Sequence, residues 1–363
     1  MTSPATEINH TSPVSSLLVK AVKALACLPL PVLHAVGGCA GRMVYLLSPG
    51  MRAKTRANLE RAGLYSPRLA WKSAAAAGKA ALESAYVWFR NDTHLLACAD
   101  HRCMTELARE TLARQAAGER KGLLILTPHI GCFEMGARAY GATAPITVLY
   151  KAPKQPALHH LLKVARTQSG VTPAAADTAG VRALLRALKR GEAVGILPDQ
   201  VPSDGDGRWA DFFGKPAYTM TLPQRLVEKT GARVCLLGVW RRPGGRGWDM
   251  VVEEMEELPT PEAINRRIES LIRRHPEQYV WNYNRYKVPG GVTPPDPGAP
   301  VAEPSERQAA AVGAVAQTGD GAQPSGVVAP AGSNALAHVP GVAGGRDPIS
   351  GAPAAGGEEG GRP

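Results

Sequence analysis

The sequence of 363 residues predicts an α/β fold with a mixed central sheet flanked by helices, an apolar helix before it and a disordered tail after it. Three observations support this prediction. Beyond Lys121, short apolar runs alternate with longer helical stretches, which is typical of α/β domains. Residues 51–118 are rich in helix-forming Ala, Leu, Lys, Arg and Glu. The hydrophobic fraction of 44% is that of an ordinary globular protein.

The N-terminal region divides into two parts. Residues 1–14 are polar, and residues 15–47 are rich in Leu, Val and Ala with only scattered charges. The longest charge-free run, 24–41, has 18 residues and two prolines, whereas a spanning helix requires about 20 apolar residues. Two interpretations remain open: an amphipathic helix pair buried in the domain, or a segment that spans or lies on a membrane. The second is favoured because the basic flanks suit anionic headgroups.

The main domain is predicted over residues 48–289. A buried strand is expected at 122–127, because a short apolar run there ends at Pro128. A helix is expected at 181–190, because Gly191 follows it as a C-terminal stop signal. The remaining strands are predicted at 146–150, 193–197, 233–240 and 248–253, and the remaining helices at 132–140, 156–168 and 261–274.

The tail, residues 290–363, is dominated by Gly, Pro, Ala and Ser and shows no periodicity. Such a segment cannot bury enough apolar surface to offset its ordering entropy, so we expect it to be disordered.

The charge indicates which classes of partner the protein binds, and the cysteine content excludes some kinds of structural site. The net charge is +11, and residues 1–289 carry 39 basic against 24 acidic side chains. A basic body favours an acidic partner such as an anionic membrane, a phosphorylated ligand, an acidic protein or a nucleic acid. The six cysteines contain no CxxC spacing, which excludes a disulfide scaffold and the common zinc ribbons and indicates a reducing compartment.

The main chemical candidate is His129 with Glu134. With 9 histidines and 31 acidic residues, chance alone yields roughly 0.8 pairs at this spacing, so the spacing itself is weak. Its position is more informative, since His129 follows a predicted buried strand and ligands bind at the carboxyl ends of strands in α/β sheets. Glu134 could then fix the imidazole tautomer, the base-and-orienter arrangement used in acyl transfer. A structural His–Glu capping pair is the alternative.

The segment TPHIGCFE at 127–134 resembles the His-x4-Asp/Glu signature of the lysophospholipid acyltransferase superfamily. The sequence is most similar to the lipid A late acyltransferases of Gram-negative bacteria, over about residues 15–288. Further segments match in the same order: VLYKAP at 148–153, Arg166 ahead of Gly170, LKRG at 188–191, LPDQ at 197–200, FFGKP at 212–216 and PEQYVW at 276–281.

The resemblance implies a glycerolipid-acyltransferase-like fold and transfer of a fatty acyl chain to a hydroxyl of a glycolipid. The donor would be acyl carrier protein, or acyl-CoA, and no metal or organic cofactor is implied. The enzyme would lie at the inner membrane with its catalytic domain on the cytoplasmic side. Acylation of a lysophospholipid or an amino-acid lipid is the alternative within the class. Cys132-Phe133 replace the usual Asn-Trp, which leaves the acceptor and the chain length open.

The resemblance, together with the chemistry of acyl transfer, suggests roles in the reaction for five residues. His129 would remove the acceptor proton, and Glu134 would stabilise the imidazolium. Arg166 would meet the oxyanion or an acceptor phosphate, and Asp199 would position Arg166. Lys151 stands where the family often has Arg and keeps its positive charge for substrate binding without bidentate recognition. A covalent route through Cys132 is a further alternative.

Three rival functions are less favoured. A nucleic-acid partner is not expected, because no recognised binding pattern occurs and the basic residues are scattered. A zinc hydrolase would need a third ligand, and neither HExxH nor its inversion occurs. A basic membrane-surface binding protein without activity remains the non-enzyme alternative.

Overall fold

The computed structural model describes residues 23–151 and 170–295. Within them, a seven-stranded sheet has the order β1-β9-β8-β2-β5-β3-β4, and β6 and β7 form a separate hairpin. The strands are β1 Ala99–Asp100, β2 Leu123–Leu126, β3 Ile146–Tyr150, β4 Val171–Ala175, β5 Ala193–Ile196, β6 Gly207–Phe212, β7 Lys215–Met220, β8 Arg233–Arg241 and β9 Trp248–Glu254. The helices are α1 Leu30–Leu47, α2 Pro49–Arg61, α3 Pro67–Phe89, α4 Asp92–Ala97, α5 Arg102–Ala116, α6 Glu134–Gly141, α7 Thr178–Lys189, α8 Leu222–Thr230 and α9 Pro261–Arg274.

The sheet is parallel from β8 through β2, β5 and β3 to β4, and β9 runs antiparallel to β8. The central strands β2 and β5 are buried at all four positions. They lie inside the sheet with helices on both faces, which explains why they are continuous apolar runs. The carboxyl ends of β2, β5, β3 and β4 therefore meet at one edge, which we call the C-terminal edge.

Two core layers cover the sheet. Alternate residues of β2 point to opposite faces, so Leu124 joins one cluster and Ile125 the other. The first cluster contains residues of α7, α9 and the β6–β7 hairpin. The second contains residues of α1, α3, α5 and α6. The predicted α/β class with a mixed sheet flanked by helices is confirmed.

The hairpin places Phe212 and Phe213 in the first core cluster. Phe213 has a φ of 51° and Gly214 a φ of 66°, the left-handed pair required by a tight two-residue turn. Glu269 Oε1 accepts the Phe213 backbone N–H at 2.6 Å and holds this conformation. These two aromatic rings therefore fill the core.

Helix α1 packs closely on α3 through glycines. A Cβ on Gly37 would lie 2.7 Å from the Gly78 carbonyl oxygen, and one on Gly78 would lie 2.6 Å from the Gly41 amide. Only glycine allows this approach of the two backbones. Among the described residues, α1 is the one helix long and apolar enough to cross a membrane, and a third of its length is buried in the protein.

The predicted strands and helices inside the described residues are observed, with ends shifted by a few residues. Strand β1, which interrupts the stretch expected to be helical, strand β4 and helix α8 were not predicted, and the strands of the β6–β7 hairpin had no predicted bounds. The predicted helix at 156–168, residues 1–14 and most of the tail (296–363) lie outside the described residues.

Candidate active site

The loop after β2 carries His129 at the C-terminal edge. Its backbone is tied to two neighbouring segments: Gly131 N–H donates to the Gln278 carbonyl at 3.0 Å, and Cys132 N–H donates to the Val239 carbonyl at 3.2 Å. Gly131 has a φ of 55°, and a Cβ there would overlap the Val239 carbonyl. Glycine is required here because both the conformation and the close approach exclude a side chain.

Asp199, in the loop after β5, binds His129 twice. Its Oδ1 lies 2.7 Å from His129 Nδ1, and its Oδ2 accepts the His129 backbone N–H at 2.9 Å. Because an ionised carboxylate only accepts, the proton of the neutral ring lies on Nδ1, and Nε2 keeps its lone pair. The arrangement is that of a general base with its orienting acid.

The electrostatics of the pair favour an ionised Asp199. The carboxylate is 1% exposed, and this burial alone would raise its pKa. The charge of His129, the hydrogen bonds from its ring and backbone, and the charge of Arg285 outweigh burial, so the pKa lies below its usual value. Asp199 is therefore a fixed negative charge beside the imidazole near neutral pH.

Gln200 contacts the other side of the ring. Its amide Nε2 lies 3.2 Å from His129 Nε2 and donates a hydrogen bond to that lone pair. The Phe133 ring lies 4.8 Å from the imidazole between centroids, and the His129 side chain is 19% exposed. The reactive nitrogen is thus reachable, and the Gln200 amide occupies the position that a hydroxyl would take.

The structure places the sequence-predicted residues as follows. His129, Glu134 and Lys151 line one cavity, and Asp199 is bonded to His129. Glu134, the predicted orienter, is half-buried at the first turn of α6, whereas the Nδ1 partner is Asp199. Lys151 is exposed just beyond β3. Arg166, the predicted partner of Asp199, lies outside the described residues.

Cys132 is buried, with 3% of its surface exposed, and belongs to the second core cluster. Burial and the nearby charge of Glu83 raise the pKa of its thiol well above the usual value. A protonated, enclosed thiol is a poor nucleophile, so the geometry disfavours the covalent alternative.

The cavity has a volume of about 800 Å³. It lies between α6 and the face of the sheet that carries Ile125, and its inner walls are apolar. Its mouth, at the C-terminal edge, carries charged side chains together with the catalytic candidates. The charged lining residues are Glu134, Lys151, Asp177, Asp206, Arg225 and Lys287.

Sequence reasoning missed Gln200 and the Asp199–His129 bond. Both residues stand in the LPDQ segment directly after β5, and the register places Ile196 beside Leu126, shortly before His129. The signal in the sequence was therefore that polar residues follow closely after the ends of two neighbouring parallel strands.

Comparison with known proteins shows which of them this chain resembles. A family model described as bacterial lipid A biosynthesis acyltransferase matches residues 1–288. The lipid A biosynthesis lauroyltransferase of Escherichia coli K12 is 25% identical over 282 residues, covering 73% of this chain and 89% of the relative. The lipid A biosynthesis palmitoleoyltransferase of the same strain is 25% identical over 273 residues, covering 72% and 87%. A lipid A biosynthesis acyltransferase of Haemophilus influenzae is 22% identical over 282 residues, covering 73% and 88%.

Proposed function

The chain belongs to the bacterial lipid A biosynthesis acyltransferase family and is an acyltransferase of lipid A biosynthesis, and we propose a donor, a mechanism and a location for its reaction. The donor is a fatty acyl thioester of acyl carrier protein, or of CoA. The acceptor is a hydroxyl of a lipid A precursor. The observation that carries the mechanism is the hydrogen-bonded His129–Asp199 pair at the mouth of an apolar cavity.

In the first step, the acceptor hydroxyl displaces the Gln200 amide and donates its hydrogen to His129 Nε2. As Nε2 takes the proton, the oxygen forms a bond to the thioester carbonyl carbon. Asp199 stabilises the imidazolium through its existing 2.7 Å contact with Nδ1.

In the second step, the tetrahedral intermediate collapses. The carbon–sulfur bond breaks, the thiolate leaves, and the proton on Nε2 passes to the sulfur, so His129 returns to its neutral form. The displaced Gln200 amide lies near the reacting carbon and can donate to the oxyanion. Arg166 remains the candidate cation for the same oxyanion or for an acceptor phosphate.

Glu134 and Lys151 complete the substrate site. Both line the cavity mouth with His129, at the place where the polar part of the two substrates must meet. We assign Glu134 to the acceptor hydroxyl as a second polar contact. Lys151 supplies a positive charge for an acceptor phosphate, as a point charge rather than as a bidentate fork.

The location that we propose is the inner membrane, with the catalytic domain on the cytoplasmic side where acyl carrier thioesters occur. Helix α1 exposes several large apolar side chains, among them Val36, Met43 and Leu47. Such a face matches the hydrocarbon boundary of a bilayer, and the basic body matches its anionic headgroups.

The test uses purified full-length protein with labelled acyl-acyl carrier protein and a lipid A precursor. The product mass should rise by one acyl chain, and His129→Ala should lower turnover at least about a thousandfold. His101→Ala is the matched control, because His101 also precedes a glutamate by five residues but contacts the Ala99 carbonyl instead. Equal turnover by His129→Ala would remove His129 from the mechanism. Transfer to a lysophospholipid alone would overturn the proposed lipid A acceptor but would leave His129 assigned as the base.

A further inference from the structure

A glycine lies in the middle of the buried central strand β5. Gly195 stands between Val194 and Ile196, and all three are buried. A glycine inside a strand costs conformational entropy and leaves a space that a side chain would fill. A glycine inside a strand that is buried on both faces therefore needs a specific explanation.

The surroundings of Gly195 differ from those of the glycines at which two backbones pack closely. At Gly78, an added Cβ would meet backbone atoms of the neighbouring helix. At Gly195, the three nearest atoms all belong to side chains: Val148 Cγ2 at 3.3 Å, Ile146 Cδ1 at 3.6 Å and Val148 Cγ1 at 3.8 Å. Backbone packing therefore does not require a glycine at this position. Gly195 instead lines the apolar cavity, where a side chain would occupy its space.

The strand register gives the depth of Gly195 in the cavity. Gly195 pairs with Ile125 on one side and with Val148 on the other. The next level is formed by Ile146 and Val171, which pair with each other and also line the cavity. Ile146 pairs with Ala193, two residues from Gly195, so this level lies about 6.6 Å farther from the mouth.

The walls at both levels fit a hydrocarbon. Ile125, Val148, Ile146 and Val171 are apolar, whereas the charged lining residues are those of the mouth. A linear acyl chain whose thioester lies at His129 would pass Gly195 before it reaches Ile146. The volume of about 800 Å³ is within the range of pockets that enclose small molecules.

We propose that Gly195 determines which acyl chain lengths the enzyme uses, by leaving open the passage to the deeper level formed by Ile146 and Val171. This inference rests on the proposed function, in which the cavity holds the acyl chain of the donor. A valine at 195 would close the passage, and an alanine would narrow it. Shortening Ile146 would extend the cavity at its deeper level.

The expected size of the effect follows from the burial of methylene groups. Each one adds about a fourfold gain in affinity while the chain still enters an apolar wall. In Gly195→Val, that gain should stop at a chain shorter by several carbons, because the deeper part of the channel, about 6.6 Å long, is lost. In Gly195→Ala, the longest chain that still gains affinity should lie between those of the parent protein and of Gly195→Val. Ile146→Ala should favour longer chains.

The experiment measures two length profiles on purified full-length protein. One is kcat/KM for a series of saturated acyl-acyl carrier proteins with a lipid A precursor, and the other is the affinity for the corresponding free fatty acids by calorimetry. Val194→Ala is the matched control, because Val194 lies on the opposite face of β5, outside the cavity. It should lower the melting temperature without moving either profile. Melting curves identify any Gly195→Val protein that is unfolded, in which case Gly195→Ala gives the result.

The outcomes separate the inference from the function. Profiles that move to shorter chains in both Gly195 variants and to longer chains in Ile146→Ala support the inference. Unchanged profiles in folded variants overturn it, while transfer by the parent protein would still uphold the function. Fatty-acid binding that shifts in this way without any transfer would uphold the depth assignment and reject the proposed reaction. Binding that does not depend on chain length would overturn the inference.

Discussion

At the scale of single residues, the main feature is that one carboxylate fixes both the ring and the backbone of His129. Asp199 Oδ1 accepts the hydrogen bond from Nδ1–H and Oδ2 accepts the one from the backbone N–H, so rotation of the imidazole would break the ring bond while the backbone bond still held the carboxylate in place. Asp199 is nearly inaccessible to water and carries a lowered pKa, so its negative charge persists near neutral pH. The orienting role predicted for Glu134 therefore has a second candidate.

The first prediction compares these two carboxylates. Asp199→Asn should lower kcat by about 100- to 10,000-fold with little change in KM, because an amide can present N–H to Nδ1 and favour the wrong tautomer. Glu134→Gln should act mainly on KM for the acceptor, because Glu134 contacts the cavity mouth rather than Nδ1. Steady-state kinetics at several acceptor concentrations distinguish the two effects. Near-normal kcat in Asp199→Asn together with a lost kcat in Glu134→Gln would return the orienting role to Glu134.

At the scale of secondary-structure elements, a buried ion cluster joins α1 and α3 to the sheet. Glu83 of α3 binds His34 Nε2 of α1 at 2.8 Å, Arg241 Nε of β8 at 2.6 Å and Trp248 Nε1 of β9 at 3.3 Å. Arg241 Nη2 also donates to the Gly131 carbonyl at 2.6 Å, two residues after His129. The cluster therefore links the position of α1 to the loop that carries His129.

The second prediction concerns the pH dependence of this cluster. Burial alone would raise the pKa of Glu83, but Arg241 and His34 lower it to about 2, against an ordinary 4.5. A depressed pKa stabilises the fold above the ordinary value, and the contribution is lost as the pH falls from about 4.5 to about 2. The free energy of unfolding should thus fall by about 3 to 5 kcal/mol in Glu83→Gln near pH 7, and the difference should shrink below pH 5.

Glu257→Gln is the matched control for this prediction. The Glu257 carboxyl also has a pKa of about 2, since it pairs with Arg267, but both side chains are more than a third exposed. Solvent screening should limit its loss to about 1 kcal/mol or less. Denaturant unfolding of the three proteins between neutral and acidic pH measures both effects. Equal losses in the two variants would refute the special role of the buried cluster.

At the scale of the whole molecule, an apolar face and a basic body occur in one protein. Helix α1 buries one side against α3 and exposes large apolar residues on the other. Residues 1–289 carry the excess of basic side chains. A membrane would satisfy both features at once, because it offers hydrocarbon and anionic headgroups at a single boundary.

The third prediction tests the membrane contact that we propose for α1. Replacing Val36, Met43 and Leu47 together by serine should weaken binding to anionic vesicles about tenfold or more, because each side chain loses its transfer into hydrocarbon. The control replaces Tyr65, Leu258 and Val288, which are exposed apolar residues outside α1, by serine. Vesicle flotation with and without anionic lipid measures the binding. Similar losses in both triple variants would place the membrane contact elsewhere.

The sequence was most informative where local pattern decides structure. Strands β2 and β5 could be predicted because burial on both faces demands unbroken apolar runs. Strand β4 escaped prediction because Pro173 interrupts it, and its position at the sheet edge is what allows a proline there. The strands of the β6–β7 hairpin could not be placed from periodicity, because they mix charged and apolar residues.

By itself, the sequence determined the fold class, the strand-end position of His129 and the reaction class that its ordered motifs imply. Tertiary structure alone decided which carboxylate holds the imidazole, because His129 and Asp199 are 70 residues apart and meet only when β2 and β5 pair in register. It also decided that Gln200 contacts Nε2 and that Gly195 lines the cavity. Local periodicity records which residues are buried, whereas contacts between distant segments depend on how the strands are ordered in the sheet.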